Sequence, residues 1–229
     1  MKNPLIVLLP IIIPLLCQAQ CDGFYNIHAK SSWTYDNFNG KGKFTGKTVQ
    51  EVKSFEPTAH GFKAVIRSTI LNEKEKKLSE GDLEMTCQHG TLIIDMRKYI
   101  PEEQRKAFDA YEMKIESQNL ELPAKLSAGQ SLKDGSVILT TVGSPIAMKM
   151  TVHITDRKVE GKETITTPAG TFDCWKISSK SSVQIHMGIN MNFNSSVVEW
   201  MAEKVGMVKS ESYDQGGKLS FTTVLSSIR

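Results

Sequence analysis

The chain has 229 residues, and its 28 Lys and Arg against 25 Asp and Glu leave a formal charge of +3 with both signs interspersed. That balance excludes the basic footprint of a nucleic-acid-binding domain, and the length suits one domain with a sizeable core or a tight pair of lobes. His28, His60, His89, His153 and His186 are scattered and no CxxC pair occurs, so no metal site stands in a recognised spacing and no cofactor is expected.

In chain order, "MKNPLIVLLPIIIPLLCQAQC" comes first. One lysine, an apolar run from Pro4 to about Cys17 and then small and polar residues form the layout of a secretory signal peptide. The run holds Pro10 and Pro14 and is shorter than the roughly 20 apolar residues a membrane span needs. Cleavage after Ala19 makes 1–19 the signal and 20–229 a single exported domain, periplasmic or secreted; losing Lys2 takes the charge from +3 to +2. The alternative is an outer-membrane lipoprotein acylated at Cys21, which Gln20 disfavours because a lipobox wants a small residue there. No later segment is long and apolar enough to cross a bilayer as a helix.

Cleavage leaves Cys21, Cys87 and Cys174. An odd count in an oxidising compartment suggests one disulfide and one thiol. A Cys21–Cys87 bridge is favoured, tying the mature start to the end of a strand just before Gln88-His89-Gly90. Cys21–Cys174 is the competitor, and partner geometry decides between them.

From Trp33 to Met96 short alternating runs, "VQEVKSF", "FKAVIRSTIL", "LEMTC" and "TLIIDM", read as antiparallel strands. Three turns resemble one another: "NFNGKGKF" (Asn37 to Phe44), "LNEKEKKL" (Leu71 to Leu78) and "YDQGGKLSF" (Tyr213 to Phe221). Each sets a polar, lysine-bearing tip ahead of a large apolar residue, and each reads as a hairpin end. "IPEEQRKAFDAYEMKI" predicts one covering helix over Ile100–Ile115, with proline and glutamates first and Lys114 near its end. Ile100, Ala107, Phe108, Tyr111 and Ile115 would form its packing stripe. The loop "LPAKLSAGQSLKDG" (Leu122 to Gly135) is the candidate junction between two sheet halves.

"SVQIHMGINMNFN" (Ser182 to Asn194) alternates strictly. Val183, Ile185, Met187, Ile189, Met191 and Phe193 occupy one face, with Gln184, His186, Gly188, Asn190, Asn192 and Asn194 on the other. As one strand it would span about 40 Å at about 3.3 Å per residue, which suits a wide, curved sheet. "AMKMTVHI" (Ala147 to Ile154) repeats the pattern, with Met148, Met150, Val152 and Ile154 on one side. Thioethers adapt to apolar ligands of variable shape. The candidate ligand-binding face is therefore Met148, Met150, Val152, Ile185, Met187, Ile189, Met191 and Phe193, covered by Phe108 and Tyr111; the commoner use of such methionines is to fill an irregular core.

No nucleophile elbow, phosphate loop or HExxH occurs, so no enzyme is expected. Asp95, Asp173 and Glu199 lie beside apolar strand residues and read as outward members of the alternation. "TTPAGTFDCWKI" (Thr166 to Ile177) reads as a tight turn followed by a core strand in which Cys174 is a packing residue. Gly206 marks a bulge or a close backbone approach, and Trp200 anchors the core or a sheet edge.

The segments "VEGKETITTPAGTFDCWKIS", "VEWMAEKVGMVKSESYDQGGKL", "SEGDLEMTCQHGTLIIDM" and "LELPAKLSAGQSLKDG" resemble the TapB-like family of exported bacterial proteins, in the variant found in Bacteroidetes. The resemblance covers nearly the whole mature chain. It implies no activity and no catalytic residues, and its fold is similar to the open β half-barrels of LolA/LolB-like lipoprotein carriers, which hold acyl chains on an apolar concave face. The expectation is a mainly β protein, a large curved antiparallel sheet or open half-barrel with long strands and one covering helix. Its function would be non-enzymatic binding of a lipid-like or acylated envelope component. The alternative is a structural or interaction module of the cell envelope with a filled core.

Overall fold

The computed structural model describes residues 23–25, 27–99, 112–143 and 147–229. Thirteen strands make one antiparallel sheet: β1 (Ser32–Asn39), β2 (Phe44–Thr58), β3 (Gly61–Asn72), β4 (Lys77–Gln88), β5 (Thr91–Ile94), β6 (Glu112–Gln118), β7 (Leu120–Pro123), β8 (Gly135–Val142), β9 (Met148–Thr167), β10 (Gly170–Met187), β11 (Ile189–Ala202), β12 (Gly206–Tyr213) and β13 (Leu219–Ile228). Among the described residues the helical structure is a 3-10 turn, Met96–Tyr99.

The order across the sheet is β6-β8-β9-β10-β11-β12-β13-β1-β2-β3-β4-β5-β7. The two edge strands, β6 and β7, are separated in sequence by Asn119 alone. One residue spans at most about 3.6 Å, so the edges are forced together and the sheet curls into a nearly closed barrel. The expected open half-barrel is thus closed further than the strand pattern implied. A period-two pattern records which face is buried and nothing about where the edges go.

Two other expectations change. Residues 112–115, read as the end of a helix, lie in β6, where they pair with β8; residues 100–111, including Phe108 and Tyr111, fall outside the described residues. The run Ser182 to Asn194 is a hairpin and not one strand, because the chain reverses at Gly188, whose φ is 76°. Glycine takes that conformation without the Cβ clash that other residues meet there.

The loop from Leu122 to Gly135 leads from edge strand β7 to β8, beside the other edge of the sheet. Its middle runs beside β9, through Gly129 N to Val159 O (2.7 Å), Val159 N to Gln130 O (2.9 Å) and Leu132 N to Arg157 O (2.8 Å). It takes the place that β8 vacates along the lower part of β9.

The two ends of the barrel differ. At the base, Phe24, Ile27 and Trp33 are buried, and the Trp33 indole donates to Val205 O at 3.0 Å. Tyr25 stands edge-on to Trp33, centroids 5.9 Å apart. Its ring also lies against Gly206, where a Cβ would come within 2.0 Å of it; this is the close approach expected at Gly206. The opposite end, the mouth, carries the β1–β2, β3–β4, β10–β11 and β12–β13 tips. The three turns expected to resemble one another do so atom for atom. Asn39 Oδ1 accepts from Lys41 N and Lys43 N, Asn72 Oδ1 from Lys74 N and Lys76 N, and Asp214 Oδ1 from Gly216 N and Lys218 N. The residue three places on, Gly42, Glu75 or Gly217, has positive φ in each.

Candidate functional site

The site is built from strand register. In the β10–β11 hairpin, directly paired residues share a face, and the pairs are Val183–Phe193, Ile185–Met191 and Met187–Ile189. Members of each pair lie equally far from Gly188, so reversal of the chain there leaves the face assignment intact. β9 adds Val152 beside Val183, Met150 beside Ile185 and Met148 beside Met187. β8 adds Val137 beside Val152 and Leu139 beside Met150. The eight described candidate residues therefore do share one apolar face.

That face is buried at one side and open at the other. Met148 and Met150 keep 6% and 7% of their surface and pack with Val152, Met96, Leu120, Val137 and Leu139. Val183 and Ile185 are half-buried against this cluster, and Met191 is half-buried. Met187, Ile189 and Phe193 are 46%, 68% and 58% exposed. The methionines of β9 fill core, while those of the hairpin line open surface.

Deeper on the same face of β11 stands Glu199, on the barrel side and not outward as its neighbours in sequence suggested. The register lines it up with Ile177, Ser210, Thr223 and Asn37. Thr223 Oγ1 donates to Asn37 Oδ1 (3.1 Å), and Asn37 Nδ2 donates to Thr48 Oγ1 (2.9 Å), which ties this polar belt across three strands. Burial pushes the Glu199 carboxyl above the ordinary carboxylate value, with the Arg157 charge opposing. Glu199 lies deep in the barrel and yet retains accessible surface. Next to the belt, the buried Tyr35 hydroxyl has no hydrogen-bond partner, and burial raises its pKa far above the phenol value, followed by the charges of Tyr25 and Glu199.

The other carboxylates do not converge with it. Asp95 is buried and grips Arg97, Nε to Oδ1 at 2.9 Å and Nη2 to Oδ2 at 2.6 Å, while Asp173 accepts from Thr164 Oγ1 at 2.9 Å. Cys174 is a free, fully buried thiol; burial first, then the Asp173 charge, raises its pKa to about 11. Trp200 is buried, and its indole donates to Glu163 Oε2 at 2.8 Å. Cys87 is disulfide-bonded; with Cys174 free, the Cys21–Cys174 alternative is excluded. Cys21 itself lies outside the described residues. No group of three or more His, Cys, Asp or Glu fit to hold a metal occurs among the described residues.

A family model matches residues 29–225, nearly all of the described chain. The chain belongs to the DUF3108-like family. Two solved structures share the fold of this DUF3108-like chain. One is a protein of Bacteroides fragilis described as exported and as having a YmcC-like fold, with a TM-score of 0.68, 22% identity, and 91% of this chain and 100% of that one covered. The other, from Parabacteroides distasonis, is described as a lipoprotein, with a TM-score of 0.70, 22% identity, and 91% and 99% covered. No curated protein matches the DUF3108-like chain.

The belt around Glu199 escaped the sequence reading. Its only sequence signal is parity: Val197 and Glu199 fall on the same alternate positions as Met191 and Phe193, with Ser195 between them.

Proposed function

We propose that the chain is an exported, non-enzymatic protein that binds a lipid-like or acylated ligand on the apolar face of β8 to β11. The observation that carries this reading is the unbroken row Leu139–Met150–Ile185–Met191, which runs from packed core to open surface on one side of one sheet. Alkyl and thioether side chains there offer no directional hydrogen bond, which suits an acyl chain and poorly suits a polar substrate. The deep yet accessible position of Glu199 supports a lumen that continues inward from this face. The relatives described as exported or as a lipoprotein support an envelope setting.

Native mass spectrometry of the gently purified protein tests the reading. The wild type is expected to carry a hydrophobic adduct and, once stripped, to take up a fluorescent fatty acid. Ile185→Asp is expected to lose both while keeping its β-sheet circular dichroism. A wild type with neither adduct nor uptake overturns the proposal.

A further inference from the structure

The mouth of the barrel holds an arrangement of which the ligand-binding reading uses only the hairpin residues Met187, Ile189 and Phe193. Among the described residues eight large apolar side chains are exposed, and seven of them, Ile70, Leu78, Val142, Met187, Ile189, Phe193 and Phe221, stand at or near strand ends on the mouth side. Ile228, at the base, is the eighth. A scatter of exposed apolar residues needs no explanation; their segregation to one end does.

Charge accompanies them. Lys41, Lys43, Lys74, Lys76 and Lys218 are exposed on the three Asx-closed tips, and none of them pairs with a carboxylate among the described residues. The acidic groups on the same tips are fewer. Glu75 is held by Lys47 at 3.2 Å, which leaves Glu73 and Asp214, whose Oδ1 accepts two loop amides at 2.9 Å, against the five lysines. The β10–β11 tip is itself two-faced: Met187, Ile189, Met191 and Phe193 lie opposite His186, Asn190, Asn192 and the adjacent Lys149. We infer that this mouth docks on a phospholipid bilayer carrying anionic headgroups, with the hairpin tips dipping apolar side chains below the headgroups while the lysines meet their charge. Apolar insertion and electrostatic attraction are the two signals that together hold a protein on a membrane surface. The lysines favour an anionic bilayer over a protein patch because they sit on three separate tips around the rim, which suits a fluid, uniformly charged plane better than a fixed set of carboxylates.

The docking surface shares Met187, Ile189 and Phe193 with the ligand face and goes beyond that proposal through the lysine-bearing tips; fatty-acid uptake in vesicle-free solution reports on the ligand site separately. The test is flotation of the purified protein with vesicles of phosphatidylcholine alone and of four parts phosphatidylcholine to one part phosphatidylglycerol. The wild type is expected to bind the anionic vesicles, release at high salt, and bind the neutral ones at least about tenfold more weakly. The Met187→Ser, Ile189→Ser double variant is expected to lose about tenfold or more. Lys41→Glu with Lys43→Glu should lose at least about twentyfold, since each lysine near an anionic surface contributes about fivefold. All these positions are exposed, so thermal unfolding should not change; Lys125→Glu, away from the tips, should bind as wild type. Equal binding to both vesicle types, rim variants that bind as wild type, or protein capture without vesicle binding each overturn the inference.

Discussion

The guanidinium of Arg157 donates from Nη1 to the backbone carbonyl of Glu121 at 2.9 Å and to that of Lys133 at 2.6 Å. Arg157 belongs to β9 and Glu121 to β7, the far edge of the sheet, so this buried side chain stitches the seam where the barrel nearly meets itself. The Lys133–Glu121 ion pair at 2.6 Å lies over the same junction. Arg157→Ala leaves two carbonyls short of a donor and is expected to cost about 2–4 kcal/mol, read from urea unfolding. A change below about 0.5 kcal/mol would mean that the seam is held elsewhere.

The buried and open halves of the apolar face should separate by mutation. Met150→Ala removes packed core and is expected to destabilise by about 2–5 kcal/mol. Met191→Ala, on the open side, should stay under about 1 kcal/mol while weakening acyl-probe uptake. Equal costs at the two positions would show that both serve as core.

Glu199 makes stability depend on pH in a defined direction. Its folded pKa is raised by burial, so the folded state holds the proton more tightly than the unfolded chain. Its contribution is complete below the ordinary carboxylate pKa and is lost as pH rises through the folded value. Glu199→Gln is therefore expected to raise the melting temperature at pH 8 relative to wild type, with the gain shrinking toward pH 4. A gain that grows on acidification would reverse the assignment.

The cysteines can be read by labelling. With its pKa at about 11 and its side chain buried, Cys174 should resist iodoacetamide at pH 8 in the folded protein and react once denatured. Cys87 is bonded, and Gly23, two residues after Cys21, abuts Ala124, whose amide donates to Gly90 O at 2.8 Å. Gly23 thus lies at the turn that follows Cys87. A non-reducing digest is expected to yield Cys21 linked to Cys87; a free Cys21 would overturn that pairing.

Much of this was legible in residue order, and the misreadings have definite causes. The strands from Trp33 to Met96, the three alike tips, the Pro168-Ala169 turn and the burial of Cys174 follow from alternation and turn chemistry, which act over a few residues. The hairpin at Gly188 was hidden because reversing a strand about one residue preserves parity, so a hairpin and a long strand write the same pattern. Residues 112–115 carry a helical spacing that pairing with β8 overrides.

The sequence by itself determined the β class, the faces of the strands and the chemistry of the tips, because side-chain alternation and Asx closure are local. Tertiary structure decided that β6 and β7 meet across Asn119, that Glu199 points inward, and that Met150 is core while Met191 is only half-buried. Those outcomes depend on which strands become neighbours over long separations, and no local pattern encodes that.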